Sequence, residues 1–131
     1  MPGGKSEEGI AEYRKALELK GPSAATAESA SVATIRTNLA NALAIIGNNL
    51  SGSATEIPSE AMRRYEEAIA QYEKALELEP NHPAIHRNLG LLLAHLGRFD
   101  EAEAHLRATL QIVPNEPTAQ ETLKEIEAQR P

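Results

Sequence analysis

The chain has 131 residues, 41% of them apolar, enough for one domain with a modest core and too few for two of ordinary size. A formal net charge of -6 disfavours a nucleic-acid backbone or an anionic membrane surface as partner and leaves cationic segments as the easier guests. Cysteine is absent, which excludes disulfides, thiolate zinc sites and cysteine nucleophiles.

The opening stretch, MPGGKSEEG, is polar, with no apolar segment of the signal-peptide kind, and no apolar run in the chain approaches the ~20 residues of a membrane span. A soluble, cytoplasmic protein is therefore expected. Asn49-Leu50-Ser51 matches the glycosylation triplet but has no secretion signal to accompany it.

A first helix is expected over 5–20, where IAEYRKALELK (10–20) has helical periodicity. The chain nearly repeats this stretch as IAQYEKALELE at 69–79, with eight of eleven positions identical. A second helix over 24–47 carries the stripe Val32, Ile35, Leu39, Leu43 and Ile46. Its Ala- and Ser-rich start, 24–32, prolongs it backward as an exposed overhang. Turn formers then predict a loop over 48–58.

The third helix, 60–79, follows Pro58 with Ser59 as N-cap and stops at Pro80. Tyr65, Ala68, Ile69, Tyr72, Leu76 and Leu78 mark its apolar side. Helices over 83–96, closed by Gly97, and 99–113, ending before Pro114, come next. The last, 118–129, has only Leu123 and Ile126 as large apolar residues and reads as a polar cap.

A step of 34 residues carries Pro80 to Pro114, Ala68 to Ala102, Tyr72 to Leu106, Leu76 to Leu110 and Asn81 to Asn115. Paired helices at that period are the signature of the tetratricopeptide repeat. Residues 83–116 resemble one complete unit: Leu89-Gly90 its Leu-Gly pair, Gly97 its turn, and Phe99, Ala102, Leu106 and Pro114 the aromatic, small, large and terminating positions of its second helix. His86 stands where the family often has Trp and Thr109 where it has Ala, so looser packing is expected there.

Aligning 38–47 with 88–97 sets Ala40 in the place of Gly90 and Gly47 in that of Gly97. Sixteen extra residues then fall between Gly47 and Tyr65, and nine between Ser23 and Ala33. The resemblance implies an all-α fold, a right-handed superhelical stack of antiparallel helix hairpins with six helices in a single domain over 1–131. In it, 5–20 is the second helix of a truncated repeat, 24–79 a repeat with insertions near 24–32 and 48–64, 83–116 a complete repeat and 118–129 the C-terminal cap.

Chemistry is sparse. His82 and His86 are four apart, but Pro83 lies between them and no acidic or thiol residue stands within a turn to complete a metal site. His95 and His105 read as polar positions near a helix face, and Glu66, Glu67, Glu73, Glu77, Glu101 and Glu103 as solvated surface. GLLLAHLG (90–97) has glycine at both ends but lacks the Lys-Ser or Lys-Thr of a phosphate loop. The three Tyr and one Phe fall on second helices, where they fill hairpin interiors and offer no base-stacking platform. No catalytic residue, cofactor or metal is expected, and the chain is not read as an enzyme.

In stacked hairpins the first helices line the concave face. The resemblance then places a peptide-binding groove on Thr34, Thr37, Asn38, Asn41 and Ile45, on Ala84, Arg87, Asn88, Leu91 and His95, and on Thr118, Glu121, Thr122 and Glu125. Asn38 and Asn88 resemble the rungs of the asparagine ladder in peptide-binding arrays, since a carboxamide can donate to and accept from a peptide backbone, and local bonding within the superhelix is the other reading. Thr37, Thr118 and Thr122 stand where a carboxylate clamp has cations, so such a clamp is not expected. Arg87 is the lone groove cation in this reading. The function expected is protein–protein interaction, with a protein or peptide bearing some positive charge as partner. The alternatives are a self-associating module through the open N-terminal helix and the recruiting part of a larger enzyme.

Overall fold

The computed structural model describes residues 4–20, 26–52 and 55–129. They form six helices: α1 (Gly4–Lys20), α2 (Thr26–Ser51), α3 (Ser59–Leu78), α4 (Pro83–His95), α5 (Phe99–Ile112) and α6 (Pro117–Gln129). The fold is all-α and built from helix hairpins. The helices group into two compact units that divide between Glu79 and Pro80. Residues 24 and 25 of the expected overhang lie outside the described residues.

In the N-terminal unit α2 and α3 make an antiparallel hairpin, and α1 packs on α2. Small side chains let the two arms come close: Ala33 and Ala40 of α2 and Ala61, Ala68 and Ala75 of α3 are wholly buried. Leu39, Leu43, Ile46, Tyr65, Ile69 and Tyr72 fill the rest of the seam. Three polar bonds tie its ends. Tyr65 Oη donates to Asn48 Oδ1 at 2.7 Å, Tyr72 Oη donates to Asn41 Oδ1, and Arg36 Nη1 donates to Gln71 Oε1 at 2.9 Å. Burial pushes the Tyr72 hydroxyl up to about 12. α1 is held through buried Ile10 and reaches α3 by the ion pairs Arg14–Glu67 (2.7 Å) and Arg64–Glu7 (3.7 Å).

The expected loop over 48–58 is shorter than the sequence suggests. Helix α2 does not stop at Gly47 but runs to Ser51, and the turn glycine is Gly52, with φ 53°. Gly47 is a packing glycine instead: a Cβ there would lie 2.6 Å from Cε1 of Tyr65. In the aligned register α2 outruns α4 by the six residues 46–51, and α3 precedes the start of α5 by the six residues 59–64. The connecting segment has seven residues (52–58) against three (96–98). Six on each arm and four in the turn account for the sixteen-residue insertion. Ser59 is not the N-cap: Pro58 occupies that position with extended backbone and no side-chain cap, and its carbonyl accepts from Met62 N at 2.9 Å.

In the C-terminal unit α4 and α5 form a shorter hairpin with α6 beside both. His82 caps α4 through a ring nitrogen that accepts from Ile85 N at 3.4 Å, and Pro83 takes the first helical position, where its missing N–H costs nothing. Gly97, at φ 79°, ends α4: its N–H donates to Ala94 O and that of Arg98 to Leu93 O, the paired bonds of a Schellman motif. Gly90 is the close contact of this hairpin, since a Cβ there would sit 2.8 Å from Cγ of Leu106.

The looser packing expected at His86 and Thr109 is not found. Thr109 is wholly buried, and its hydroxyl donates to His105 O (3.0 Å) with Pro83 O near by (3.4 Å). The His86 and His105 rings face each other with Nδ1 atoms 3.0 Å apart, and His86 Nε2 donates to Pro80 O at 2.7 Å. Two imidazoles and a threonine thus fill the space assigned to a larger and a smaller residue. At the start of α6, Glu116 accepts from Ala119 N at 2.5 Å, satisfying one donor that the helix itself cannot. No helix among the described residues is long and apolar enough to cross a membrane.

Candidate protein-binding surface

In the C-terminal unit, α4 and α6 lie side by side with the N-terminal turn of α5 below them. The spacing of three to four residues along α4 sets Arg87, Leu91, Ala94 and His95 on one side of the helix. The same spacing on α6 aligns Thr122, Glu125, Ile126 and Gln129. Between them is a cavity of about 250 Å³ lined by Leu91, Ala94, His95, Phe99, Thr122, Glu125, Ile126 and Gln129. Leu91, Phe99 and Ile126 give it an apolar floor, and His95, Thr122, Glu125 and Gln129 a polar rim. The volume is below the roughly 300–1,000 Å³ of small-molecule sites.

Of the residues expected to line a groove here, Leu91, His95, Thr122 and Glu125 converge on this cavity. Glu121 and Thr118 are exposed on α6 away from it, and Ala84 is half-buried. Arg87 is not an unopposed cation. Its guanidinium lies 3.5 Å from Glu116 and donates to Asn88 Oδ1 at 3.3 Å, which engages the carboxamide of Asn88 as well.

In the N-terminal unit, Asn41 serves the hairpin, its oxygen accepting the Tyr72 hydroxyl bond, and the Thr37 hydroxyl donates to Ala33 O at 2.8 Å. Asn38 is half-buried. Thr34 and Ile45 are exposed, Ile45 by 50%, the largest exposure of any big apolar residue described.

Sequence reasoning missed Phe99, Ala94, Ile126 and Gln129 as parts of the cavity. Phe99, expected in a hairpin interior, is the first residue of α5 and sits at the hairpin's edge, half-exposed. The signal for Ala94 and Gln129 was present: they continue the three-to-four spacing from Leu91 and from Thr122 and Glu125.

Three of the four histidines are occupied structurally. His82 caps α4, while His86 and His105 bond each other. Burial and, less strongly, the neighbouring His86 hold His105 below the usual imidazole range, against an opposing pull from Glu101. Among the described residues no cluster of three or more His, Cys, Asp or Glu is arranged to hold a metal ion.

Residues 60–117, which span α3, α4 and α5, match the family model of the tetratricopeptide repeat. No curated protein matches the chain.

Proposed function

We propose, on the match of residues 60–117 to the tetratricopeptide repeat, whose repeats mediate protein–protein interaction, that the chain is a non-enzymatic scaffold holding an extended segment or helix of a partner protein. The observation that carries this reading is the cavity between α4 and α6, which joins residues of two first-type helices around one side-chain-sized space. A partner would seat an apolar side chain against Leu91, Phe99 and Ile126 and run its backbone past His95 and Thr122. Exposed Glu121 and Glu125 favour a partner with Lys or Arg beside that anchor. The helices are fixed by their own packing, so binding would not carry the cost of ordering them.

Selection of phage-displayed peptides against the full chain, followed by calorimetry on the selected peptides, tests this. Peptides with an apolar anchor flanked by basic residues are expected. Leu91→Arg and Thr122→Arg should each weaken them by about tenfold or more, the usual reach of a central anchor position. Peptides that bind both variants as well as wild type would overturn the reading.

A further inference from the structure

A single hydrogen joins His86 to His105, and the groups around the rings fix where it sits. A carbonyl only accepts, so the 2.7 Å contact of His86 Nε2 with Pro80 O puts a hydrogen on that nitrogen. Neutral His86 therefore has a bare Nδ1, and across the 3.0 Å gap it is Nδ1 of His105 that donates. The ring centroids are 5.3 Å apart, the gap plus the two ring radii, so the nitrogens meet nearly end on. One hydrogen fits between them and a second does not.

Protons then arrive in two unlike steps. The first goes to Nε2 of His105, the open acceptor of the pair, and leaves the bond made, now from an imidazolium donor. The second must go to Nδ1 of His86, where it faces the N–H of a charged ring and breaks the bond. Burial opposes charge on His105, the neighbouring His86 adds to that, and Glu101, itself held by Arg98 at 2.9 Å, pulls the other way. On the His86 side, His82 caps α4 one turn earlier, and Arg87 is paired with Glu116 ahead of α6. Among the described residues no carboxylate is bonded to either ring, so nothing offsets the second charge.

The pair sits on the arm of α4 opposite the cavity. His86, Gly90 and Ala94, four apart, share one side of the helix. Gly90 is the tight contact with Leu106 of α5, where a Cβ would come within 2.8 Å, and Ala94 lines the cavity together with Phe99 of α5. A push that drives His86 off α5 turns α4 about Gly90 and shifts Ala94 against Phe99. We propose that the His86–His105 bond is a proton-operated latch on the cavity: closed, it keeps α4 where the cavity takes a partner, and doubly protonated, it opens and the partner is released. The release rests on the cavity being the partner site.

NMR on the isotope-labelled full chain, titrated from roughly pH 7.5 to 5 across the ordinary imidazole value, reads the latch without any partner. The Ala94 methyl and Phe99 ring signals should move with the later of the two histidine steps. In His105→Gln and His86→Gln, which can each keep the bond but admit no second charge, those signals should stay in place. Calorimetry with a phage-selected peptide over the same range should show affinity falling about fivefold or more in wild type and holding in both variants. Ala94 and Phe99 signals indifferent to the histidine steps would overturn the proposal, as would a response that persists in both variants and so belongs to His82 or His95. Peptides insensitive to Leu91→Arg would overturn it through its premise, with the NMR shifts intact.

Discussion

Replacing Gly47 by alanine tests the description of the N-terminal hairpin at its tightest point. Helix propensity alone predicts a gain of about 1 kcal/mol for this change inside a helix. The geometry predicts the opposite. The new methyl would lie 2.6, 2.8 and 3.0 Å from Cε1, Cδ1 and Cζ of Tyr65, a wholly buried ring. That ring cannot swing aside cheaply, because its hydroxyl is bonded to Asn48. Overpacking of a filled core costs about 1–3 kcal/mol, and loss of the hydroxyl bond about 1 kcal/mol more. Less the propensity gain, the net loss is about 2 kcal/mol, or a fall in Tm of roughly 10 °C for a unit of this size. Urea titrations followed by far-UV circular dichroism on wild type, Gly47→Ala, Tyr65→Leu and the double variant give the comparison. In the double variant the methyl has room, so the two losses should fall short of additive. A Gly47→Ala chain as stable as wild type, or strict additivity, would refute the reasoning.

Gly9→Ala is the matched control: with no tight contact in its way, it should stabilise α1 by about 0.5–1 kcal/mol, read from the same titration. Gly97→Ala should destabilise the C-terminal unit by about 1 kcal/mol, because φ 79° is a left-handed conformation that a Cβ opposes. Acidification should weaken the chain through His105. Its folded affinity for protons is depressed, so the unfolded state binds more protons as pH falls below the usual imidazole value near 6.5, and stability present above that value is progressively lost. Melts at pH 7.5 and 5.5 should show this loss reduced in His105→Gln. At the alkaline end the sign reverses: Tyr72 keeps its proton to about 12 when folded but ionises near 10 when unfolded, so its stabilisation is present below pH 10 and lost as pH rises toward 12. Absorbance at 295 nm should show a late-titrating tyrosine that disappears in Tyr72→Phe.

Where a residue acts on its own neighbourhood, the sequence could be read directly. Pro58, Pro80 and Pro114 bound helices by local sterics, and the expected 83–96 and 99–113 agree within a residue with Pro83–His95 and Phe99–Ile112. The end of α2 could not be read that way. Asn48, Asn49, Ser51 and Gly52 have the composition of a turn, while what keeps Asn48 helical is a partner seventeen residues on, the hydroxyl of Tyr65. Helical register does set Leu91 with His95 on α4 and Thr122 with Glu125 on α6. That Asn41 answers Tyr72, and Arg87 answers Glu116, depends on distances between helices that no periodicity encodes.

The lengthening of α2 and α3 implies a rule for how such a hairpin can grow. Six residues on each arm add about 9 Å at the tip and leave the base as it was, at 1.5 Å of rise per residue. Teeth must be added to a zipper on both tapes at once. A residue inserted in one arm alone would rotate everything beyond it by about 100° and carry Gly47 out from under Tyr65. Length variants of this hairpin are therefore expected to differ by matched increments in the two arms, while the connection between them accepts unmatched ones.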